Sequence, residues 1–209
     1  MKWLDISMPM HKTMQVYKNR DANRFRLTAD RTHAQDHICE NRMEINLHTG
    51  THLDAPLHVI DGGNTISTFP LDLSQLPCQV LDLSGLRGSI KVKDLDLKAI
   101  RPGGAVLLKT DNSLTDAFDP EYVFLSIEGA AALADTGVRL VGTDALGIER
   151  GQPGHPTHRA LMTRGVWILE GLRLAHAAAG TGWTLHVLPL NIVGAEASPV
   201  RAVLSRDDE

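Results

Sequence analysis

Three histidines and an aspartate fall within one run of eleven residues, His48-Thr49-Gly50-Thr51-His52-Leu53-Asp54-Ala55-Pro56-Leu57-His58. Neutral imidazole and carboxylate are preferred protein ligands of Zn2+ and similar ions, so the residue types point first to a metal centre. His48 and His52 stand four apart, the spacing that puts two ligands on one helical face in zinc proteases of the His-Glu-x-x-His type. That reading fails twice here. Thr49 stands where the glutamate belongs, and Gly50 and Pro56 disfavour a helix through the run. A strand end leading into a tight turn suits the composition better. Gly50 then allows a close backbone approach, and the side chains of His48, His52 and Asp54 converge on one point. His58 closes the run. An unperturbed imidazole titrates at about 6.5, which suits this residue to move a proton near neutral pH, with orienting a ligand as its other available role.

Some framework must carry these groups to one place. Met43-Glu44-Ile45-Asn46-Leu47-His48 alternates with a period of two and predicts a strand. Met43, Ile45 and Leu47 would face one way and Glu44, Asn46 and His48 the other, delivering His48 to a sheet edge. Leu4-Asp5-Ile6 predicts a short first strand. The polar stretch from Met10 to Asp36 predicts a long irregular excursion, a type of loop often tied to function. Asp61-Gly62-Gly63-Asn64 marks a turn. Further strands are predicted at Val80 to Leu83, Ala105 to Leu108, Val138 to Val141, Val166 to Leu169 and Trp183 to Leu188, the last stopped by Pro189. A helix is predicted from Ile127 to Thr136, capped by Ser126 and stopped by Gly137, and another from Leu172 to Ala179, closed by Gly180. Strands alternating with short helices predict the α/β class: a single domain over residues 1–209 with a mixed sheet. Asp144 follows Val141-Gly142-Thr143 at a predicted strand end, where it serves either as a functional group or as the cap of the next loop.

The bulk composition narrows the classes. A hydrophobic fraction of 43% and a charged fraction of 22% are those of a globular chain. The net charge of −4 and the scattered Lys and Arg exclude a nucleic-acid binder. Cys39 and Cys78 lack a Cys-x-x-Cys spacing and predict buried free thiols in a reducing compartment. Asp5 interrupts any signal-like apolar run at the N-terminus, and no run approaches the ~18–20 apolar residues of a membrane span, so the expected location is the cytoplasm, with no membrane partner.

The run from His48 to His58 resembles the H-x-G-T-H-x-D-x-P-x-H signature of the cyclase family, which includes bacterial kynurenine formamidases (arylformamidases) and isatin hydrolases. Every fixed position is filled. Leu4-Asp5-Ile6-Ser7, Val141-Gly142-Thr143-Asp144, Pro189-Leu190-Asn191 and Ser198-Pro199-Val200-Arg201 also look like family segments. The resemblance implies a swivelling β/β/α fold and a centre of one or two divalent ions, Zn or Mn. His48, His52 and Asp54 would bind the first ion, and Asp54 would bridge to a second completed by His158 and Glu170. His155 competes with His158 for that role, and spacing within the family favours His158. Both distant groups are plausible ligands on their own terms. Residues Gly151 to His158 are too rich in Gly and Pro to predict regular structure, and Glu170 ends the apolar run Val166-Trp167-Ile168-Leu169, where a buried carboxylate needs a partner.

The implied activity is hydrolysis of a C–N bond in a small amide, formamide or lactam by a metal-activated hydroxide, with His58 as general acid/base. Two alternatives use the same residues: a metal-dependent cyclase or dehydratase, and a non-catalytic metal-dependent binding protein. In formamidases an aromatic residue followed by Pro-Gly helps to form the substrate pocket. The matching stretch here is Val16-Tyr17-Lys18-Asn19, which keeps Tyr17 as the substrate-binding candidate but replaces Pro-Gly. Tyr17 and Phe25 could line a pocket or simply pack, and Lys18, Arg20, Arg24 and Arg26 could meet a carboxylate or form a solvated basic loop. The expected partner is a small-molecule substrate, and the expected assembly a homodimer or homotetramer.

Overall fold

In the computed structural model, which describes residues 1–207, the apolar runs of the second half become a sheet covered on both faces. Strand β1 spans Lys2–Asp5, β2 Arg26–Arg31, β3 Glu40–Glu44 and β4 His52–Asp54. Then come β5 (Gln75–Asp82), β6 (Ser89–Ile90), β7 (Ala105–Lys109) and β8 (Phe124–Leu125). The last four are β9 (Leu140–Thr143), β10 (Trp167–Glu170), β11 (Gly180–Pro189) and β12 (Ala197–Arg206). Three α-helices accompany them: α1 (His33–Asp36), α2 (Ile127–Asp135) and α3 (Pro156–Met162). This is the mixed α/β class, mostly sheet with short helices.

The main sheet has eight strands in the order β1-β12-β11-β5-β7-β9-β10-β4, and β12 also pairs with β4. The ladder therefore closes on itself, leaving β1 appended to β12. Strands β5, β7, β9 and β10 are mutually parallel, while β4, β11 and β12 pair antiparallel. Closure depends on the length of β12. Its first residues, Ala197, Ser198 and Pro199, pair with β4, and the stretch from Val200 onward pairs with β11 and then also β1.

Period-two alternation sorts the side chains. Leu53, Ala105, Leu107, Leu140, Trp167 and Leu169 pack inside the closed sheet. Val106, Leu108, Val141 and Ile168 face outward and are covered by Leu133 of α2 and Leu161 of α3. Because β7, β9 and β10 are covered on both faces, they read as continuous apolar runs. Helix α2 starts where expected, with the Gly129 N–H donating to Ser126 Oγ at 3.0 Å.

Several expectations need correction. The predicted strand from Met43 to His48 ends at Glu44 and pairs only with β2 in an exposed hairpin. Beyond it the His48 N–H donates to Asn46 Oδ1 and the Thr49 N–H to the Asn46 carbonyl, both at 2.9 Å, so the chain turns. The excursion from Met10 to Asp36 is not wholly irregular, since it contains β2 and α1. The predicted helix from Leu172 to Ala179 is absent. There the N–H groups of Leu172, Arg173 and Leu174 donate to Thr143 O, Ile6 O and Ser113 Oγ, and the Ala177 N–H donates to the Leu174 carbonyl at 2.9 Å, an i→i−3 turn and not a step of an i→i−4 ladder. Strand β12 was not among the expected strands, and it carries Pro199 at its third position, opposite His52 of β4. Cys78 is buried as predicted, but Cys39 is exposed, and both are free thiols. Among the described residues no helix is long and apolar enough to cross a membrane.

Asp144 resolves as a structural node. It is buried and accepts from the Thr110 N–H at 2.9 Å, the Thr110 hydroxyl at 2.7 Å and the Ser113 hydroxyl at 2.7 Å. It thereby ties the end of β9 to the chain after β7. Asp144→Ala should cost on the order of 3 kcal/mol in urea unfolding, because several buried donors lose their acceptor. Metal content of the folded fraction should not change.

Candidate metal centre

The turn after Asn46 places His48, and Gly50 at φ +73° then swings the chain into β4. Thr51 fastens this turn. Its hydroxyl donates to the Gly171 carbonyl at 2.6 Å and accepts the Met8 N–H at 2.8 Å. Gly171, at φ +68°, is needed for the same approach: a Cβ there would lie 2.1 Å from the Gly50 carbonyl oxygen. That oxygen also lies 3.0 Å from His52 Nδ1, which fixes the ring with Nε2 pointing away from the turn.

Strands β4 and β10 then arrange the ligand candidates by register. His52 sits opposite Glu170, Leu53 opposite Leu169 and Asp54 opposite Ile168. Leu53 and Leu169 point into the closed sheet, so His52, Asp54 and Glu170 share its outer face. Helix α3 lies over that face and brings His158. The stretch read as a Gly- and Pro-rich loop becomes helical at Pro156, whose fixed φ suits a first helical turn, so His158 is held by a helix and not by a loop.

The resulting distances describe one cluster around Asp54. His48 Nδ1 lies 2.9 Å and His52 Nε2 3.4 Å from Asp54 Oδ1, while His158 Nε2 lies 3.6 Å from Asp54 Oδ2. Glu170 completes the ring, with Oε2 at 3.4 Å from His52 Nε2 and Oε1 at 3.3 Å from His158 Nε2. His52, Asp54, His158 and Glu170 are all buried. Yet His52 Nε2 and both Asp54 oxygens lack a well-aligned hydrogen bond, although ring nitrogens stand close to both carboxylate oxygens. Buried polar atoms without partners are costly, and here they converge. An atom each from His52, Asp54 and Glu170 lies within 4.8 Å of the others, and the same holds for His48, Asp54 and His58. The donor set fits a divalent ion.

The electrostatics agree. Burial works against ionising Asp54, but His52, His158 and His48 hold its carboxyl well below the usual carboxylate range. Burial and Asp54 likewise oppose ionisation of Glu170, yet His158 and His52 bring it down to about 2. The rings respond in the opposite sense. Burial would lower His52, but Asp54 and Glu170 raise it to about 9, and His158 is raised well above its ordinary value against the same burial by Asp54, Glu149 and Glu170. Two buried carboxylates thus demand positive charge. His58 is the exception. Burial lowers its pKa, with His48 and His158 adding to the effect against the pull of Asp54, so its ring is neutral at neutral pH.

His58 sits on a short 3-10 turn, Pro56–His58, with its ring centre 4.2 Å from that of His48 and 5.4 Å from that of His158. It lines a cavity of about 520 Å³ together with His48, His158, Glu170 and Tyr17. Tyr17 packs edge-on against Phe118 at 5.6 Å between ring centres. Phe25 is elsewhere, packed with Met8, Met14 and Val16. His155 is exposed, with Nδ1 2.7 Å from Glu149 Oε1, and the contacts to Asp54 and Glu170 belong to His158. Glu44 pairs with Arg26 at the surface, whereas Asn46 lines the cavity. Three contributors escaped the sequence reading: Glu149, Gly171 and Glu196, whose Oε1 lies 3.4 Å from His48 Nε2. Only Gly171 carried a signal, as a glycine directly after a strand-ending glutamate.

Fold and site together define a mixed α/β protein with a buried His, Asp and Glu cluster able to hold a metal ion. A sequence profile described as Putative cyclase matches residues 4–150, and the chain belongs to that family. A kynurenine formamidase of Salinibacter ruber (strain DSM 13855 / M31) is 34% identical over 207 residues, covering 98% of this chain and 97% of its own. A solved structure described as a potential metal-dependent hydrolase with cyclase activity is 40% identical with a TM-score of 0.89, covering 100% of this chain and 99% of its own. Isatin hydrolase A from Labrenzia aggregata shares the fold at 22% identity and a TM-score of 0.83, over 97% of this chain and 93% of its own.

Gly171→Ala tests the backbone approach. A non-glycine residue at this φ costs about 1–3 kcal/mol before any clash is counted. The variant should melt lower and bind less divalent metal after dialysis, as read by elemental analysis.

Proposed function

We propose that this site cleaves the C–N bond of a small aryl formamide, or of a related amide or lactam, using one or two Zn2+ or Mn2+ ions. This chain is a metal-dependent hydrolase of C–N bonds other than peptide bonds. The substrate class is supported by the names of its relatives and by the cavity beside the cluster. One observation carries the reading: buried atoms of His52 and Asp54 that lack a well-aligned hydrogen bond converge beside a cavity lined by the neutral ring of His58.

His48, His52 and Asp54 would hold one ion, and Asp54, His158 and Glu170 a second. The two Asp54 oxygens face opposite groups of rings, which suits a shared carboxylate. Bound there, a divalent ion polarises a carbonyl and lowers the pKa of a water. The chain's own work is proton transfer and positioning. His58, neutral and open to the cavity, takes the proton of the attacking water and returns it to the departing nitrogen. Tyr17 offers an aromatic face to the aryl group. Arg24 and Arg26 are engaged with Asp21 and Glu44, whereas Lys18 and Arg20 line the cavity, which suits a substrate carrying a carboxylate.

A homodimer or homotetramer in the cytoplasm belongs to the same reading. It is supported by Leu27, Ile38 and Met43, which lie exposed on or beside the β2–β3 hairpin, and by the two free thiols.

The test is release of formate or ring-opened acid from N-formylkynurenine, formanilide and isatin by metal-loaded protein. Turnover is expected on at least one, with His58→Ala slower by about 10²–10⁴-fold and its metal content kept. Loss of metal from that variant would make His58 a ligand with His48 and Asp54. No turnover on any of the three would reject the substrate class.

The pH profile gives a second check. Protonated His58 cannot accept a proton, and burial lowers its pKa, so kcat/KM should rise with pH along an acid limb centred below 6.5. A limb well above that value would assign the base elsewhere.

A further inference from the structure

We infer that Glu149 is a positioning residue for His158, fixing which ring nitrogen faces the metal centre. The proposal rests on the reading of His158 as a metal ligand.

Glu149 is 5% exposed and His158 4% exposed, so neither can rely on bulk water for its polar atoms. His158 Nε2 faces Asp54 and Glu170, while its other nitrogen, Nδ1, lies 3.2 Å from Glu149 Oε1. Neither Nδ1 nor Oε1 has a well-aligned hydrogen bond in this arrangement. A small rotation of either group pairs the two, and a buried donor and acceptor this close gain most from pairing with each other. The carboxylate is anchored from behind, since Oε2 accepts the Thr157 N–H at 2.8 Å. Thr157 directly precedes His158 on α3, so one carboxylate holds both the start of the helix and the ring that the helix presents.

The chemistry of ligation gives the pair its purpose. An imidazole binds a metal through a nitrogen that carries no proton, so the proton must sit on the other one. A carboxylate accepting from Nδ1–H selects that tautomer, stops the ring from rotating and raises the basicity of Nε2. Glu149 Oε1 also lies 2.7 Å from Nδ1 of exposed His155, so the same oxygen reaches the rim of the cavity. Glu149, His155 and His158 offer atoms within 4.8 Å of one another, but Glu149 meets His158 at Nδ1, whereas Asp54 and Glu170 meet it at Nε2.

The experiment measures metal affinity without substrate. Metal-free protein is titrated with Zn2+ against a chromophoric chelator for wild type, Glu149→Gln, His158→Ala and the double variant. Glu149→Gln should bind one ion about 10–100-fold more weakly. The double variant should bind no more weakly than His158→Ala, because Glu149 acts through that ring. Additive losses, or unchanged affinity in Glu149→Gln, overturn the proposal. Loss of a whole ion in Glu149→Gln would make Glu149 a ligand and also overturn it. If His158→Ala binds Zn2+ like wild type, the failure lies in the ligand reading instead. A nitrogen-resolved NMR spectrum of His158 in Zn2+-loaded wild type requires no substitution: protonated Nδ1 is expected, and protonated Nε2 refutes the positioning role.

Discussion

Asp54 is a carboxylate with no exposed surface, on a strand only three residues long, and it keeps its charge. Burying an ionised carboxylate is costly unless positive charge and donors surround it. Glu170, buried on the neighbouring strand, raises the demand further. The histidines meet it from three directions: His48 from the turn before β4, His52 from β4 and His158 from α3. A divalent cation answers the same demand more completely, since it can take up lone pairs that the rings leave unpartnered. Much of the surrounding architecture serves to hold these groups against their own repulsion.

The closed sheet supplies that rigidity. Strand β4 is too short to be stable alone, but β12 pairs with it on one side and β10 on the other. Thr51 and Gly171 then lock the turn before β4 to the end of β10, with the Met8 N–H drawn into the same hydroxyl. Ligand candidates separated by more than a hundred residues therefore sit on adjacent strands in fixed register. The interior of the closed sheet is apolar, and the cluster occupies the outer face under α3. This is why alternation along β4 and β10 separates structural leucines from chemical histidine and carboxylates.

Charge also divides the labour within the site. The buried rings His52 and His158 are driven toward the protonated state by the carboxylates they touch, which makes them responsive to a competing cation. His58 stands half-buried beside them and is driven the other way. Neighbouring imidazoles thus acquire different tasks from different surroundings, one set to hold positive charge and one to carry a proton. The N-terminal excursion completes the cavity with Tyr17, Lys18 and Arg20, while its Arg24 and Arg26 are spent on surface pairs.

Legible in the sequence by itself were the metal-ligand types in the run from His48 to His58, the α/β class, the unbroken apolar strands β7, β9 and β10 and the alternating strands β5 and β11. These are local properties: residue type, spacing, and the double burial that writes a strand as an unbroken apolar run. It misjudged His48, which a turn and not a strand presents, because alternation in a hairpin exposed to water looks the same as alternation on a sheet. It misread Leu172 to Ala179 because helical propensity does not record tertiary contacts: Thr143, Ile6 and Ser113 bind the segment's first N–H groups, and Lys109 and Trp183 bind the Ala177 and Ala178 carbonyls. No strand was expected at β12, whose role in closure exists only once β4 and β11 lie on either side. Glu149 was placed by tertiary structure alone, whereas family spacing already favoured His158 over His155 and the structure supplied the physical reason. Residue type by itself does not tell two histidines three apart from each other. They become different when a helix turns one toward Asp54 and leaves the other in water.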